Sequence, residues 1–235
     1  LKKNISKRKI WTALNGIDYR TDYNNFKDAN ATAINNLFQL TNNEVSEYHS
    51  KTAGTTAGSI RPQNTTRCAN ASGVADGNDD DIKGVINFVR GQDYFDYDAD
   101  CNLTEIRKNP LGDIYHSELV VVGAPSAETS FVSSNQEAYW RSINGYDAWA
   151  KSKSNRTETI YVGANDGLLH AFDAKNGEEL WAFLPPMLLS KMRTAISSKS
   201  GQSVSIYGVD GSPIVKDIYY NYKWRTVLMS GLGMG

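Results

Sequence analysis

The stretch GANDGLLHAFDAKNGEELWAF, Gly163 to Phe183, alternates apolar runs with turn residues at hairpin spacing. Leu168 to Phe172 and Glu179 to Phe183 are strand-like, and Ala174-Lys175-Asn176-Gly177 between them carries the residues of a tight reversal. One step upstream, Asn165-Asp166-Gly167 separates the second run from Thr159 to Val162 in the same manner. Three consecutive strands are expected to run up, down and up. Tyr161, Leu169, Phe172, Trp181 and Phe183 are expected to be buried between strands or sheets, since aromatic and β-branched surroundings favour such packing.

Further short runs lie on both sides, at Leu119 to Val122, Ile214 to Tyr220 and Trp224 to Met229. VVVGAPS at Val120 to Ser126 recurs loosely as IYVGAND at Ile160 to Asp166, an offset of roughly 40 residues and close to one propeller blade. GVDGSP at Gly208 to Pro213 is a weaker echo. Neighbouring blades cover faces that one small sheet would leave exposed, so the expected fold is mainly β, a partial β-propeller, with a β-sandwich as the alternative. Residues 111–235 are read as consecutive blade elements, with two helical insertions. One carries Tyr139, Ile143, Tyr146 and Ala150 at helical spacing; in the other, Pro185-Pro186 leads into Met187, Leu188, Leu189 and Met192. Both stripes are expected to pack onto the sheet.

Residues 1–110 read as an irregular leading segment. Lys2, Lys3, Lys7, Arg8 and Lys9 are expected to form a solvated basic face beside the strand-like Ile10 to Leu14. Asp28 to Leu40 is helix-like, with Ile34, Leu37 and Phe38 on one face. His49 to Asp81 lacks apolar periodicity and reads as a long surface insertion. Asp79, Asp80 and Asp81 then precede Ile82, Val85, Ile86 and Val89, placing carboxylates at the positive end of a helix near 82–90. Metal binding by this run with Asp76 and Asn78 is the alternative.

The chain of 235 residues is long enough for a substantial core, and 40% hydrophobic against 22% charged residues fits a globular class. A formal net charge of −1 offers no bulk attraction to nucleic acid or to an anionic membrane. No run reaches the roughly 20 apolar residues of a membrane helix. A start at Leu1 and a stop at Gly235 just after a strand-like run read as an excerpt of a longer protein, with any export signal outside it.

Gly163 to Phe183 resembles two related patterns, the blade repeat of quinone-dependent dehydrogenases and the more specific GANDGxLHAF motif of PilY/PilC-type pilus-tip proteins. LGDIYHS at Leu111 to Ser117, VGAPS at Val122 to Ser126, VDGSPIVKD at Val209 to Asp217 and WRTVLMSGLGMG at Trp224 to Gly235 follow in the order of the second family. The upstream VINFVRG, Val85 to Gly91, is similar to its approach to the propeller. Glu118-Leu119 departs from the small residues or proline of the family, and Arg90-Gly91-Gln92 lacks the aspartate of an RGD tripeptide. The resemblance implies a non-enzymatic protein at the pilus tip or bacterial outer surface. Its implied roles are to support type IV pilus assembly, oppose retraction, engage minor pilins and contact a host-cell surface receptor. An oxidising compartment implies in turn a disulfide between Cys68 and Cys101, with two free thiols as the other reading.

His49, His116 and His170 show no HExxH, nucleophile-elbow or metal-pair spacing, so no catalytic residue is expected; His170 reads as a satisfied structural histidine within a strand. GLGMG at Gly231 to Gly235 lacks the full GxGxxG spacing and reads as tight backbone turns rather than a cofactor-binding loop. The rival reading is a fragment of a pyrroloquinoline-quinone-dependent dehydrogenase, whose blade repeat Asp166, Gly167, Asp173, Gly177 and Trp181 also suit. In DYDADCN, Asp96, Asp98 and Asp100, with Asn102, are expected to bind calcium, because an ion relieves the repulsion of alternating carboxylates. Cys101 and Arg107 stand where an EF-hand has its glycine and its bidentate glutamate, Glu105 is a late ligand only in another loop geometry, and a solvated acidic turn is the alternative.

Overall fold

The computed structural model describes residues 5–17, 20–38, 79–93, 102, 104–131, 134–195 and 205–233. Among the described residues, seven strands form two sheets. Strands β1 (Ile10–Trp11), β2 (Val120–Val122), β3 (Thr159–Gly163), β4 (Leu169–Asp173) and β5 (Glu179–Phe183) make one sheet in the order β1-β5-β4-β3-β2. Strands β6 (Ile214–Tyr220) and β7 (Lys223–Met229) pair as a separate hairpin.

The expected up-down-up run is present. β3 pairs antiparallel with β4, Val162 opposite His170, and β4 with β5, His170 opposite Ala182. Gly167 (φ +83°) and Gly177 (φ +71°) turn the two hairpins in a backbone region that side chains resist. The β6–β7 hairpin turns on Asn221 and Tyr222, both at positive φ, as a two-residue loop of the right twist requires.

The expected repeat is corrected by the pairing. VVVGAPS and IYVGAND do not start equivalent strands of successive blades: β2 and β3 are antiparallel neighbours in one sheet, Val120 opposite Tyr161. Both strands leave through a Val-Gly-Ala step, which mimics a blade-length repeat.

Residues near the start complete the sheet. β1 joins the outer edge of β5 in parallel, Ile10 opposite Ala182 and Trp11 opposite Phe183, and Lys9 and Trp11 carbonyls accept from the Ala182 and Leu184 amides. On the other side of β1 the Ile10 N–H donates to Asn24 Oδ1 (3.2 Å) and the Ile10 carbonyl accepts from the Phe26 amide (3.1 Å), while just beyond the strand Asn25 receives the Thr12 N–H (2.9 Å) and donates to the Thr12 carbonyl (2.8 Å). Helix α1 (Ala31–Phe38) and helix α2 (Asp79–Val89) pack on each other and on the 3-10 turns of Pro186–Ala195. One core results, joining Ile10, Phe26, Ile34, Ile86 and Phe88 to Leu168, Leu184, Leu188 and Met192. Each such side chain taken fully from water is worth about 1.5–3 kcal/mol.

Three further expectations are corrected. The basic start is not wholly solvated: Lys7 and Lys9 are exposed, but Arg8 is buried because a carboxylate awaits it. Of the five residues expected to be buried, Leu169 is (7% exposed), whereas Tyr161, Phe172, Trp181 and Phe183 are half-buried. Tyr161, Trp181 and Phe183 lie in an aromatic row with Trp11 on one face, and Phe172 stacks on His170. The stripe from Tyr139 to Ala150 breaks at Gly145 (φ +69°) into α3 (Gln136–Ile143) and α4 (Tyr146–Ser152). Tyr139 and Ile143 are left about half exposed, and Tyr146 is buried against Trp224 of β7 rather than on the larger sheet.

Candidate functional site

The GAND turn between β3 and β4 is the point where distant segments converge. Asn165 donates its amide to the Asp113 carbonyl (2.9 Å), and its own carbonyl accepts from the Ile206 amide (2.8 Å). The Gly163 amide donates to Ser117 Oγ (3.0 Å), and a Cβ at Gly163 would collide with the Val209 carbonyl oxygen. Asp166 closes the turn with its side chain, Oδ1 accepting from the Leu168 amide (3.1 Å) and Oδ2 from the Gly112 amide (3.1 Å). Residues 112–117 and 206–209 are thereby held by Gly163, Asn165 and Asp166, three of the four GAND positions.

Asp166 also opens a buried chain of charges. His170, fully buried on β4, places Nε2 at 3.1 Å from Asp166 Oδ1 and Nδ1 at 2.7 Å from Glu179 Oε1 on β5. Arg8 meets Glu179 as a fork, Nε to Oε2 at 2.6 Å and Nη2 to Oε1 at 3.0 Å, with side chains 2% and 3% exposed. Its Nη1 donates to the Val89 and Arg90 carbonyls at the end of α2. Arg90 reciprocates, donating to the Arg8 carbonyl (2.6 Å), to the Phe26 carbonyl and to Asn24 Oδ1.

Charge decides the protonation states. Burial pushes the Asp166 carboxyl up, but the His170 charge and hydrogen bond outweigh it and hold the group at about 2. Burial likewise raises Glu179, and its bonds to His170 and Arg8 bring it down to about 2. For His170 burial favours the neutral ring, yet Asp166 and then Glu179 push it up to about 9. Arg90 is lowered to about 10 by burial and by neighbouring Arg8, and stays a cation at neutral pH. The two carboxylates, the imidazolium and Arg8 therefore balance. An imidazolium donating from both nitrogens has no lone pair to accept a proton, so His170 acts as a clamp between strands and not as a general base.

The other singled-out residues separate. His116 and Ser117 form no dyad: His116 Nδ1 pairs with Asp210 Oδ2 (2.8 Å), while Ser117 Oγ donates to the Glu118 carbonyl. In GLGMG, the Gly231 carbonyl accepts from the Gly211 amide (3.1 Å) where a Cβ on Gly211 would collide with the Gly231 backbone, and a Cβ on Gly233 would meet the Asp210 side chain, so these glycines serve close packing rather than a cofactor. Asp96, Asp98, Asp100, Cys68 and Cys101 lie outside the described residues, as do Asp76, Asn78 and His49. Asn102 is exposed; its Oδ1 accepts from Thr104 Oγ1 (3.0 Å) and its Nδ2 lies 3.4 Å from Glu105 Oε2. Sequence reasoning missed Arg8, Arg90 and Glu179. The available signal was Glu179 opening a strand directly across the hairpin from the His170 strand, where an acid needs a buried partner.

Residues 111–235, which contain the GAND turn, His170 and strands β2 to β7, match the family model described as the PilY1 beta-propeller domain. The chain belongs to the PilY1 β-propeller family. It is 36% identical over 151 residues to a type IV pilus biogenesis factor PilY1 homolog of Xylella fastidiosa strain Temecula1, covering 64% of this chain and 12% of that one. It is 35% identical over 162 residues to the type IV pilus biogenesis factor PilY1 of Pseudomonas aeruginosa strain UCBPP-PA14, covering 67% and 13%. The matched part is thus a small fraction of those PilY1 proteins. No solved structure matches the chain significantly. The partial propeller expected from the strand pattern agrees with this family. Among the described residues no helix is long and apolar enough to cross a membrane.

Proposed function

We propose that this chain is part of a non-enzymatic pilus protein, at the pilus tip or bacterial outer surface, that supports type IV pilus assembly, opposes retraction and promotes surface adhesion. Minor pilins are its partners, and a host-cell surface receptor is its adhesive target. The observation supporting this reading is the PilY1 propeller match over residues 111–235, together with relatives named as biogenesis factors. A clean deletion of the whole gene, with any redundant paralogue excluded, is expected to reduce piliation, twitching and attachment. The same deletion should leave quinone- and calcium-dependent dye-linked alcohol oxidation unchanged. Wild-type piliation and attachment would overturn the proposal, and loss of the oxidation would favour the dehydrogenase.

The acidic loop modulates that role through calcium held by Asp96, Asp98 and Asp100 with Asn102. Calorimetric titration of the full-length protein is expected to give calcium heat that an Asp96, Asp98 and Asp100 to Ala variant loses; indistinguishable isotherms would remove the loop as the site. A Cys68–Cys101 disulfide ties the insertion to the same loop. Alkylation under non-reducing conditions, read by intact mass, should then label neither cysteine, and labelling of both would count against the bridge.

A further inference from the structure

Between α4 and the start of β7 lies an open cleft of about 580 Å³, within the roughly 300–1,000 Å³ of small-ligand sites. One wall is aromatic. Trp149 and Trp224, both half-buried, stand with ring centroids 6.1 Å apart and planes 31° apart, backed by Tyr146 and Tyr219. Trp224 is fixed by its Nε1–H, which donates to the Asn144 carbonyl (2.8 Å).

The other wall is cationic. Lys153 is exposed at the end of α4, and Arg156 is held rigidly, donating to the Gly123 carbonyl and to Thr226 Oγ1 (2.7 Å). Both acceptors are neutral, and among the described residues neither cation enters a salt bridge. Asp217, reached through Thr226, has one carboxylate oxygen taken by Tyr146 Oη (2.6 Å) and the other by Thr226 Oγ1 (2.7 Å). Arg225, between Trp224 and Thr226 on β7, lines the cleft as well and adds to its positive charge.

We propose that this cleft binds a carboxylated sugar, with the carboxylate on Arg156 and Lys153 and a pyranose face against the Trp149 and Trp224 indoles. A simple anion would use the cations but not the rings; a neutral aromatic would use the rings but leave the charge idle. An acidic pyranose uses both walls, and its hydroxyls reach the Asn155 and Ser152 side chains at the rim. Single-stranded nucleic acid also combines charge with stacking, but it occupies a groove of about 4–16 nucleotides along a basic track. A short cleft on a chain of net charge −1 is not such a track.

The shared chemistry occurs in hexuronate polymers and in sialylated glycans, so the test carries both. Trigalacturonate and sialyllactose are each titrated against the full-length protein, with binding read by saturation-transfer NMR and tryptophan fluorescence. Their methyl esters and a short oligothymidylate are the controls. At least one acid is expected to bind near millimolar Kd, and its ester and a Lys153→Glu variant at least about tenfold more weakly. Trp149→Leu should abolish saturation transfer to the pyranose. Lys153 is exposed, so Lys153→Glu should melt like the parent and decides the matter even where Trp149→Leu fails to fold. Absence of binding by both acids, equal binding of the esters, an inert Lys153→Glu, or tighter binding of the oligonucleotide would each overturn the assignment.

Discussion

Glu179→Ala is expected to destabilise the fold by about 3–5 kcal/mol, the usual cost of removing one partner from a buried ion pair. The carboxylate is the central member of the chain, accepting from the Arg8 fork and from His170 Nδ1. Its loss leaves two cations facing each other with Asp166 as the remaining acid, and Arg8 then repels Arg90 as well. The side chain is only 3% exposed, so water cannot replace the lost acceptor without opening the sheet edge. Because single domains retain roughly 5–15 kcal/mol in total, a loss of this size consumes a third or more of it. Guanidinium unfolding followed by tryptophan fluorescence measures it, since Trp11 and Trp181 flank the latch on the sheet. The exposed pair Arg141 and Glu137 is the control, and its Glu137→Ala variant should cost under about 1 kcal/mol. A Glu179→Ala cost no larger than that of the control would show that the charges are not coupled.

Stability should also peak in mildly acidic solution, with a loss on each side traceable to named groups. His170 is raised from 6.5 to about 9, so its contribution is complete below pH 6.5 and disappears as pH climbs towards about 9. Glu179 is depressed from 4.5 and Asp166 from 3.8, each to about 2, so theirs is complete above those starting values and disappears as pH falls towards about 2. The plateau therefore spans pH 4.5 to 6.5. Melting temperature measured across pH 2 to 10 should fall on both limbs. In a His170→Gln variant, which keeps a donor but cannot charge, the alkaline decline between pH 6.5 and 9 should flatten. An unchanged alkaline limb in that variant would assign the decline to other groups.

What the sequence disclosed and what it withheld divide along physical lines. The strands of Thr159 to Phe183 and their turns were readable because hairpins are local, and Asn165-Asp166-Gly167 and Lys175-Asn176-Gly177 specify their own backbone reversals. The helix over Asp79–Val89 was readable from its acidic start and apolar period. Arg8 was misread because nothing nearby distinguishes it from Lys7 and Lys9; its partner lies 171 residues away. The role of His170 as a satisfied structural residue was visible from its place in a strand, but which acids satisfy it required the register of β4 against β5. Asn144-Gly145 offered a break signal inside the helical stripe, and tertiary contact with Trp224 decided that Tyr146 would be the buried member.

The parallel docking of β1 has a consequence for the order in which the molecule is made. Ile10 and Trp11 are synthesised before the edge they cover, Ala182 and Phe183, which emerges only after the long intervening stretch of chain. Closing so large a loop adds only about 0.6 kcal/mol for each doubling of its length, so the final pairing is thermodynamically affordable but late. Until β5 emerges, Arg8 lacks the Glu179 carboxylate and the Ile10 strand lacks its sheet neighbour. From then until docking, β5 presents unsatisfied amides and carbonyls to any neighbouring chain. The ion latch thus ties a segment made earlier to the sheet edge it covers, an edge that would otherwise stay open to neighbouring chains.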